Sequence, residues 1–267
     1  MIKVNGYKVE INYFPDNTQK LELPTYVISS DKDVNITLFY ENDNELFTLY
    51  CIVNHIREHY NTLIHLFLPY VPNARMDRTH EEKEVFTLKH FASFINGLNF
   101  ASVVVLDPHS NVSPAVLHRC IVRQPCYYIN QVAIPKSRPD VIFFPDEGAM
   151  KRYSEVVSVK KPIAFGMKKR DWTTGAILGL DVFGDVEALK GAKVLIIDDI
   201  CSRGGTFYHS AKKLKELGAA EIDLYITHCE DTIQEGELLK DNGLINKIYT
   251  TDSLIKIQNE KIEVMSV

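Results

Sequence analysis

The segment that most limits what this chain can fold into runs from Val194 to Ala219, VLIIDDICSRGGTFYHSAKKLKELGA. Val194, Leu195, Ile196 and Ile197 form a short apolar run rich in β-branched residues, the pattern of a strand buried on both faces. It leads into Asp198 and Asp199, and then into a loop, Ile200-Cys201-Ser202-Arg203-Gly204-Gly205-Thr206, that opens a helix stopped by Gly218. Two adjacent carboxylates at the C-terminal end of a strand can accept hydrogen bonds from the vicinal hydroxyls of a ribose. Gly204 and Gly205 carry no side chains, so the backbone can approach a phosphate closely. The helix N-terminus adds free N–H groups and the positive end of a dipole, and Ser202 and Thr206 add hydroxyls. No Lys follows the last Gly, so this is not a Walker A loop.

The remainder of the chain alternates short apolar runs with longer amphipathic stretches, which predicts α/β architecture. Leu46, Leu49, Val53 and Ile56 recur at helical spacing and predict a helix over 45–59. Further helices are expected at 82–97, 147–160 and 205–217, and buried strands at 63–68, 103–106, 141–144, 193–197 and 222–227. VVVLDPHS at 103–110 and VLIIDDICS at 194–202 echo each other, since both are apolar strands ending in an acidic residue and a polar loop. The 267 residues are enough for two ordinary domains. The pattern is interrupted near 128–140, where Pro135 and Pro139 lie, and the expected division is 1–130 and 131–267.

Composition excludes several classes. A formal net charge of -5 argues against a protein that wraps nucleic acid. Five cysteines, an odd number with no Cys-x-x-Cys pair, read as reduced thiols of a cytoplasmic protein. MIKVNGYKVEINYF has neither the apolar core nor the cleavage site of a signal peptide, and no run approaches a membrane span.

The segment around Asp198 resembles the phosphoribosyl-diphosphate (PRPP) signature of the phosphoribosyltransferase fold, which PRPP-consuming transferases and PRPP-making synthetases share. Three more segments resemble the synthetases, the ribose-phosphate diphosphokinases, in the family's order. They are Pro69-Tyr70-Val71-Pro72-Asn73-Ala74-Arg75-Met76-Asp77-Arg78, then Leu106-Asp107-Pro108-His109, then Phe144-Pro145-Asp146-Glu147-Gly148-Ala149-Met150-Lys151-Arg152. The resemblance implies two tandem phosphoribosyltransferase-like domains, each with a central parallel sheet flanked by helices. It implies transfer of the β,γ-diphosphate of ATP to the 1-hydroxyl of a ribose 5-phosphate group, with Mg²⁺ as cofactor and AMP as product. It also implies a homo-oligomer with ATP near a subunit interface. Residue by residue, Arg75, Met76, Asp77 and Arg78 would bind ATP, with Phe14 and Asp16 against adenine from a neighbouring subunit. His109 and Asp146 would sit at the metal. Asp198 and Asp199 would hold the ribose hydroxyls, and Ser202, Arg203, Gly204, Gly205 and Thr206 the 5-phosphate. Lys168 and Arg170 match catalytic positions of a mobile loop in the family, with His109 beside them in the catalytic set.

The chain also departs from the family's pattern. Met76 replaces a Gln, Thr18 stands near a Glu, Ser202-Arg203 replaces Asp-Thr, and the chain is shorter than typical members. The Arg in the loop suits a second phosphate or a base, so one alternative acceptor is ADP-ribose, giving its 1-diphosphate for rebuilding NAD. Two further alternatives are a PRPP-consuming transferase and a catalytically silent PRPP-binding partner subunit.

Overall fold

The computed structural model describes residues 1–29, 31–170, 177–240 and 243–267, which fall into two compact units, Met1–Arg123 and Gln124–Val267. In chain order the first unit holds β1 (Ile2–Val4), β2 (Tyr7–Lys8), β3 (Ile11–Tyr13), β4 (Gln19–Leu21), β5 (Val34–Leu38), α1 (Asn44–His59), β6 (Ile64–Leu68), α2 (Thr87–Gly97), β7 (Ser102–Leu106), α3 (Val112–Val116) and β8 (Cys120–Arg123). Its sheet has the order β2-β1-β5-β6-β7-β8. The run from β5 to β8 is parallel, whereas β1 lies antiparallel to both its neighbours. α1 forms where its apolar spacing requires, with Leu49, Ile52, Val53 and Ile56 all buried in the unit's core.

α2 starts five residues later than its sequence predicts, at Thr87 rather than 82. Its apolar stripe begins only at Leu88 and continues through Phe91, Ala92 and Ile95. Ahead of it the Glu84 carboxylate accepts the His80 N–H at 2.6 Å, a local bond that competes with helix.

The second unit holds α4 (Ile134–Ser137), β9 (Val141–Phe144), α5 (Glu147–Tyr153), β10 (Ile163–Arg170), β11 (Ile177–Gly184), β12 (Lys193–Cys201), α6 (Gly205–Glu216), β13 (Glu221–Cys229), β14 (Lys247–Thr251) and β15 (Ile262–Met265). Its sheet has the order β11-β10-β9-β12-β13-β14-β15, parallel except where β10 meets β11. Val194 to Ile197 are wholly buried, as is all of β9, so the sheet is covered on both faces.

Two expected element ends change in this unit, those of α5 and β12. The expected division at 130/131 stands beside a contact boundary at 123/124, and the chain around it is helical. Tyr128–Ala133 winds as a π-helix into α4, with Pro135 inside the turn instead of ending it. A wider turn suits a residue that has no N–H to return to the preceding carbonyls. α5 stops at Tyr153, not 160, because Val156 and Val157 both donate to the Tyr153 carbonyl and close the end. The strand expected at 193–197 runs on through Cys201 and pairs with β13 over that length. Asp198 and Asp199 therefore lie within a strand and not beyond it. Gly218 does take the left-handed conformation, φ +95°, that ends α6.

Candidate active site

In the second unit the chain moves from β9 to β10 on one side and resumes at β12 on the other, so the order reverses between β9 and β12. Such a reversal leaves a crevice at the C-terminal ends of the strands, the usual binding position in open parallel sheets. Asp146 follows β9, while Asp198 and Asp199 lie in the C-terminal half of β12. The Asp146 side chain caps α5, accepting the Ala149 N–H at 3.0 Å. The two adjacent carboxyls remain close enough to interact with each other. Asp198 keeps some exposed surface, whereas the Asp199 side chain is 5% exposed and meets the Arg152 guanidinium at 2.9 Å. Asp198 is held well above the usual carboxylate range, first by burial of its carboxyl and then by the neighbouring Asp199 and Asp146 charges. Among the described residues, three carboxylates and the Arg152 guanidinium thus converge at the crevice.

The loop beyond β12 is built for close approach at Gly204, the residue before α6, which has φ +77°. A Cβ there would lie 2.3 Å from a methyl of buried Leu238. Gly205 has no atom within 4 Å of the corresponding point and faces open space. Ser202 and Thr206 are half-buried, and the Arg203 side chain is 73% exposed, its Nε donating to Glu235 Oε2 at 2.9 Å. Lys168 and Arg170 lie at the end of β10, a strand paired with β11 where a loop was expected, and their side chains fall outside the described residues.

In the first unit, Pro69–Arg78 follows β6 and Leu106–His109 ends and follows β7, its neighbour, so both motifs occupy one edge of the sheet. Arg75 is exposed, Met76 half-buried, and Arg78 pairs with Asp77 at 3.2 Å. Asp107 is buried with φ +40°, and its N–H donates to the Arg123 carbonyl. His109 beyond it is half-buried. Phe14 and Asp16 sit in the turn joining β3 to β4, where Asp16 accepts the N–H and hydroxyl of Thr18 at 3.0 and 2.7 Å. Those bonds hold the Asp16 carboxyl below its ordinary range. Phe14 is 50% exposed. A cleft of about 440 Å³ lined by Val9, Leu23, Ile52 and His55 contains none of these motif residues.

Among the described residues no group of three or more His, Cys, Asp or Glu side chains is arranged to hold a metal, and no helix is long and apolar enough to cross a membrane.

No family model matches the chain. It is 26% identical over 223 residues to a ribose-phosphate pyrophosphokinase of Saccharolobus solfataricus, covering 83% of this chain and 76% of that one. It is 24% identical over 256 residues to the ribose-phosphate pyrophosphokinase of Sulfurisphaera tokodaii, covering 95% and 87%. In sequence the chain is similar to the ribose-phosphate pyrophosphokinases. The fold agrees. The phosphoribosylpyrophosphate synthetase of Mycobacterium smegmatis superposes with a TM-score of 0.76, at 19% identity, over 97% of this chain and 86% of that one. Around the matched motifs, two contacts escape a reading by spacing. Arg152 stood inside a matched segment, but its pairing with Asp199 bridges 47 positions and only the fold reveals it. Glu235 lies in no matched segment, and nothing in its surroundings marks it as the partner of Arg203.

Proposed function

We propose that this chain transfers the β,γ-diphosphate of ATP to the 1-hydroxyl of a ribose bearing a 5-phosphate, with Mg²⁺, and releases AMP. The observation that carries the reading is the second unit's crevice, where a phosphate-type loop opening α6 adjoins the carboxylates of Asp146, Asp198 and Asp199. The loop takes the 5-phosphate on the free N–H groups of α6, with Ser202 and Thr206 as hydroxyl partners. Asp198, the more exposed of the pair, accepts from the ribose diol, and Asp199 is steadied by Arg152. The hydroxyl oxygen on C1 attacks the β-phosphorus, the bond from that phosphorus to the α,β-bridging oxygen breaks, and the hydroxyl proton passes to solvent. Positioning and charge stabilisation carry such a transfer, and Lys168 and Arg170 are the cations assigned to it.

Mg²⁺ usually binds through one or two carboxylates plus substrate phosphates, not through an all-protein cage. Among the described residues the carboxylates of Asp146, Asp198 and Asp199 outnumber the Arg152 guanidinium, a surplus of negative charge that fits such an ion. Asp146 in the second unit and His109 in the first are each proposed as metal-binding residues, and the ion would neutralise charge on the phosphates. In unit one, Arg75 and Arg78 are assigned to ATP phosphates, with Met76 and Asp77 beside them. Phe14 and Asp16 are assigned to adenine bound by a second copy of the chain.

A second reading of the acceptor is favoured by Arg203. An exposed guanidinium in the phosphate loop suits a 5-phosphate that is itself substituted, with ADP-ribose the simplest case. The test is incubation with ATP, Mg²⁺ and either ribose 5-phosphate or ADP-ribose, scored for AMP. AMP formed one to one with the diphosphorylated acceptor is expected. Either of two outcomes overturns the proposal: ADP as the main product, which marks an ordinary kinase, or no acceptor-dependent AMP, which leaves a PRPP-consuming transferase or a silent partner subunit.

A further inference from the structure

We infer that Glu235 is a positioning residue for acceptor recognition, holding the Arg203 guanidinium by Nε so that its Nη edge is presented to the acceptor's phosphate. The inference rests on the reading of Ser202–Thr206 as the acceptor's phosphate cradle. Arg203 is the only cation among those five residues. A long exposed side chain would sample many rotamers, and ordering it on binding costs entropy. Glu235 engages it at one point, Nε to Oε2 at 2.9 Å, and no other polar contact of Arg203 is made among the described residues. The two Nη groups, the pair that matches two oxygens of one phosphate, stay open.

Glu235 stands on a fixed platform. The Glu230 N–H donates to the Cys201 carbonyl at 2.8 Å, which ties the platform's start to the strand that carries the loop. The Asp231 carboxylate accepts the Lys256 and Ile257 N–H groups at 2.7 and 3.1 Å. Ile233 and Leu238 are buried. At Gly236 the platform passes directly against the loop, since a Cβ there would lie 1.9 Å from the Arg203 carbonyl oxygen. Leu238 closes on Gly204 in the same way. The segment Glu230–Leu238 is therefore shaped to the loop's backbone, and Glu235 is brought beside Arg203 by that fit. An ion pair exposed on both sides adds little to stability, so its value is orientation and not folding.

Steady-state kinetics on the full chain tests this. Glu235→Ala should raise the acceptor KM about 5–10-fold while kcat and the melting temperature stay near wild type. Glu235→Gln, which keeps an acceptor oxygen for Nε, should recover most of the loss. Arg203→Ala should raise KM by a similar factor, and the double variant should be no worse than Arg203→Ala alone. An unchanged or lowered KM in Glu235→Ala, an additive double variant, or no recovery in Glu235→Gln overturns the inference. These results are read only against wild-type AMP formation, so loss of that activity would indict the proposed reaction and not Glu235.

Discussion

Arg152 and Asp199 form the ion pair on which the crevice turns. The Asp199 side chain is 5% exposed and that of Arg152 26% exposed, so removing the cation strands an enclosed carboxylate. Breaking a fully buried pair costs several kcal/mol, and the partial exposure of Arg152 reduces this to about 2 kcal/mol. Arg152→Met should lose about that much in a urea titration, and Arg152→Lys distinctly less. Asp198 behaves in the opposite sense. Its carboxyl is pushed above the usual range in the folded chain, so below its unfolded pKa it costs nothing. As pH rises through the folded value the ionised form increasingly opposes folding. Asp198→Asn keeps an oxygen for the Asp199 N–H and removes that charge. It should raise the melting temperature at neutral pH by roughly 2–4 °C per kcal/mol relieved while abolishing AMP release. A lower melting temperature would mean that the enclosed charge is already compensated. Lys168→Ala and Arg170→Ala should each lower kcat by roughly 10²-fold with little change in ATP binding, measured by single-turnover and equilibrium titration, since cations aimed at developing charge act in the transition state.

The loop before α6 separates two uses of glycine. Gly204 sits at φ +77° with Leu238 against it, so Gly204→Ala must strain the backbone and displace a buried leucine. A loss of roughly 2–3 kcal/mol is expected by chemical denaturation. Gly205 opens onto free space at the first helical position, so Gly205→Ala should leave stability unchanged or slightly higher and instead weaken the acceptor KM. If both variants lose only stability, the loop is a turn and not a cradle. At this scale the sequence was informative where chemistry and spacing coincide: Asp198, Asp199 and the Ser202–Thr206 loop could be placed because strand, carboxylates, glycines and helix are contiguous. α1 was legible for the same reason, its apolar stripe being unbroken. What escaped depends on residues distant along the chain or on backbone geometry. Asp199 is claimed by Arg152, the helix that follows a π-helical turn accommodates Pro135, the run containing Lys168 pairs with β11, and the platform behind the loop comes from 230–238.

Each of the two units carries its own core, and the proposed acceptor site draws on the second alone. Ribose 5-phosphate without nucleotide should slow amide hydrogen exchange at 200–207 and 231–238 and leave 1–123 unaffected, while a non-hydrolysable ATP analogue should protect 69–78. Protection by ribose 5-phosphate centred on the first unit would reassign the site. The cysteines, all unpaired, add a consequence for the molecule as a whole. Cys126 is exposed beside the boundary, Cys51 and Cys120 are half-buried in the first unit, and Cys201 and Cys229 are buried in register on β12 and β13. The thiol of Cys201 is driven far above its ordinary range by its hydrogen bond with Cys229 and by burial, so it offers no thiolate to an alkylating reagent while the strands stay paired. Under native conditions the order of alkylation becomes a clock: Cys126 modifies at once, Cys51 on α1 and Cys120 on β8 report breathing of the first unit, and Cys201 and Cys229 are reached only when the strand behind the phosphate loop parts from its neighbour. The chain thus records, in its own sulfur atoms, which of its halves opens first.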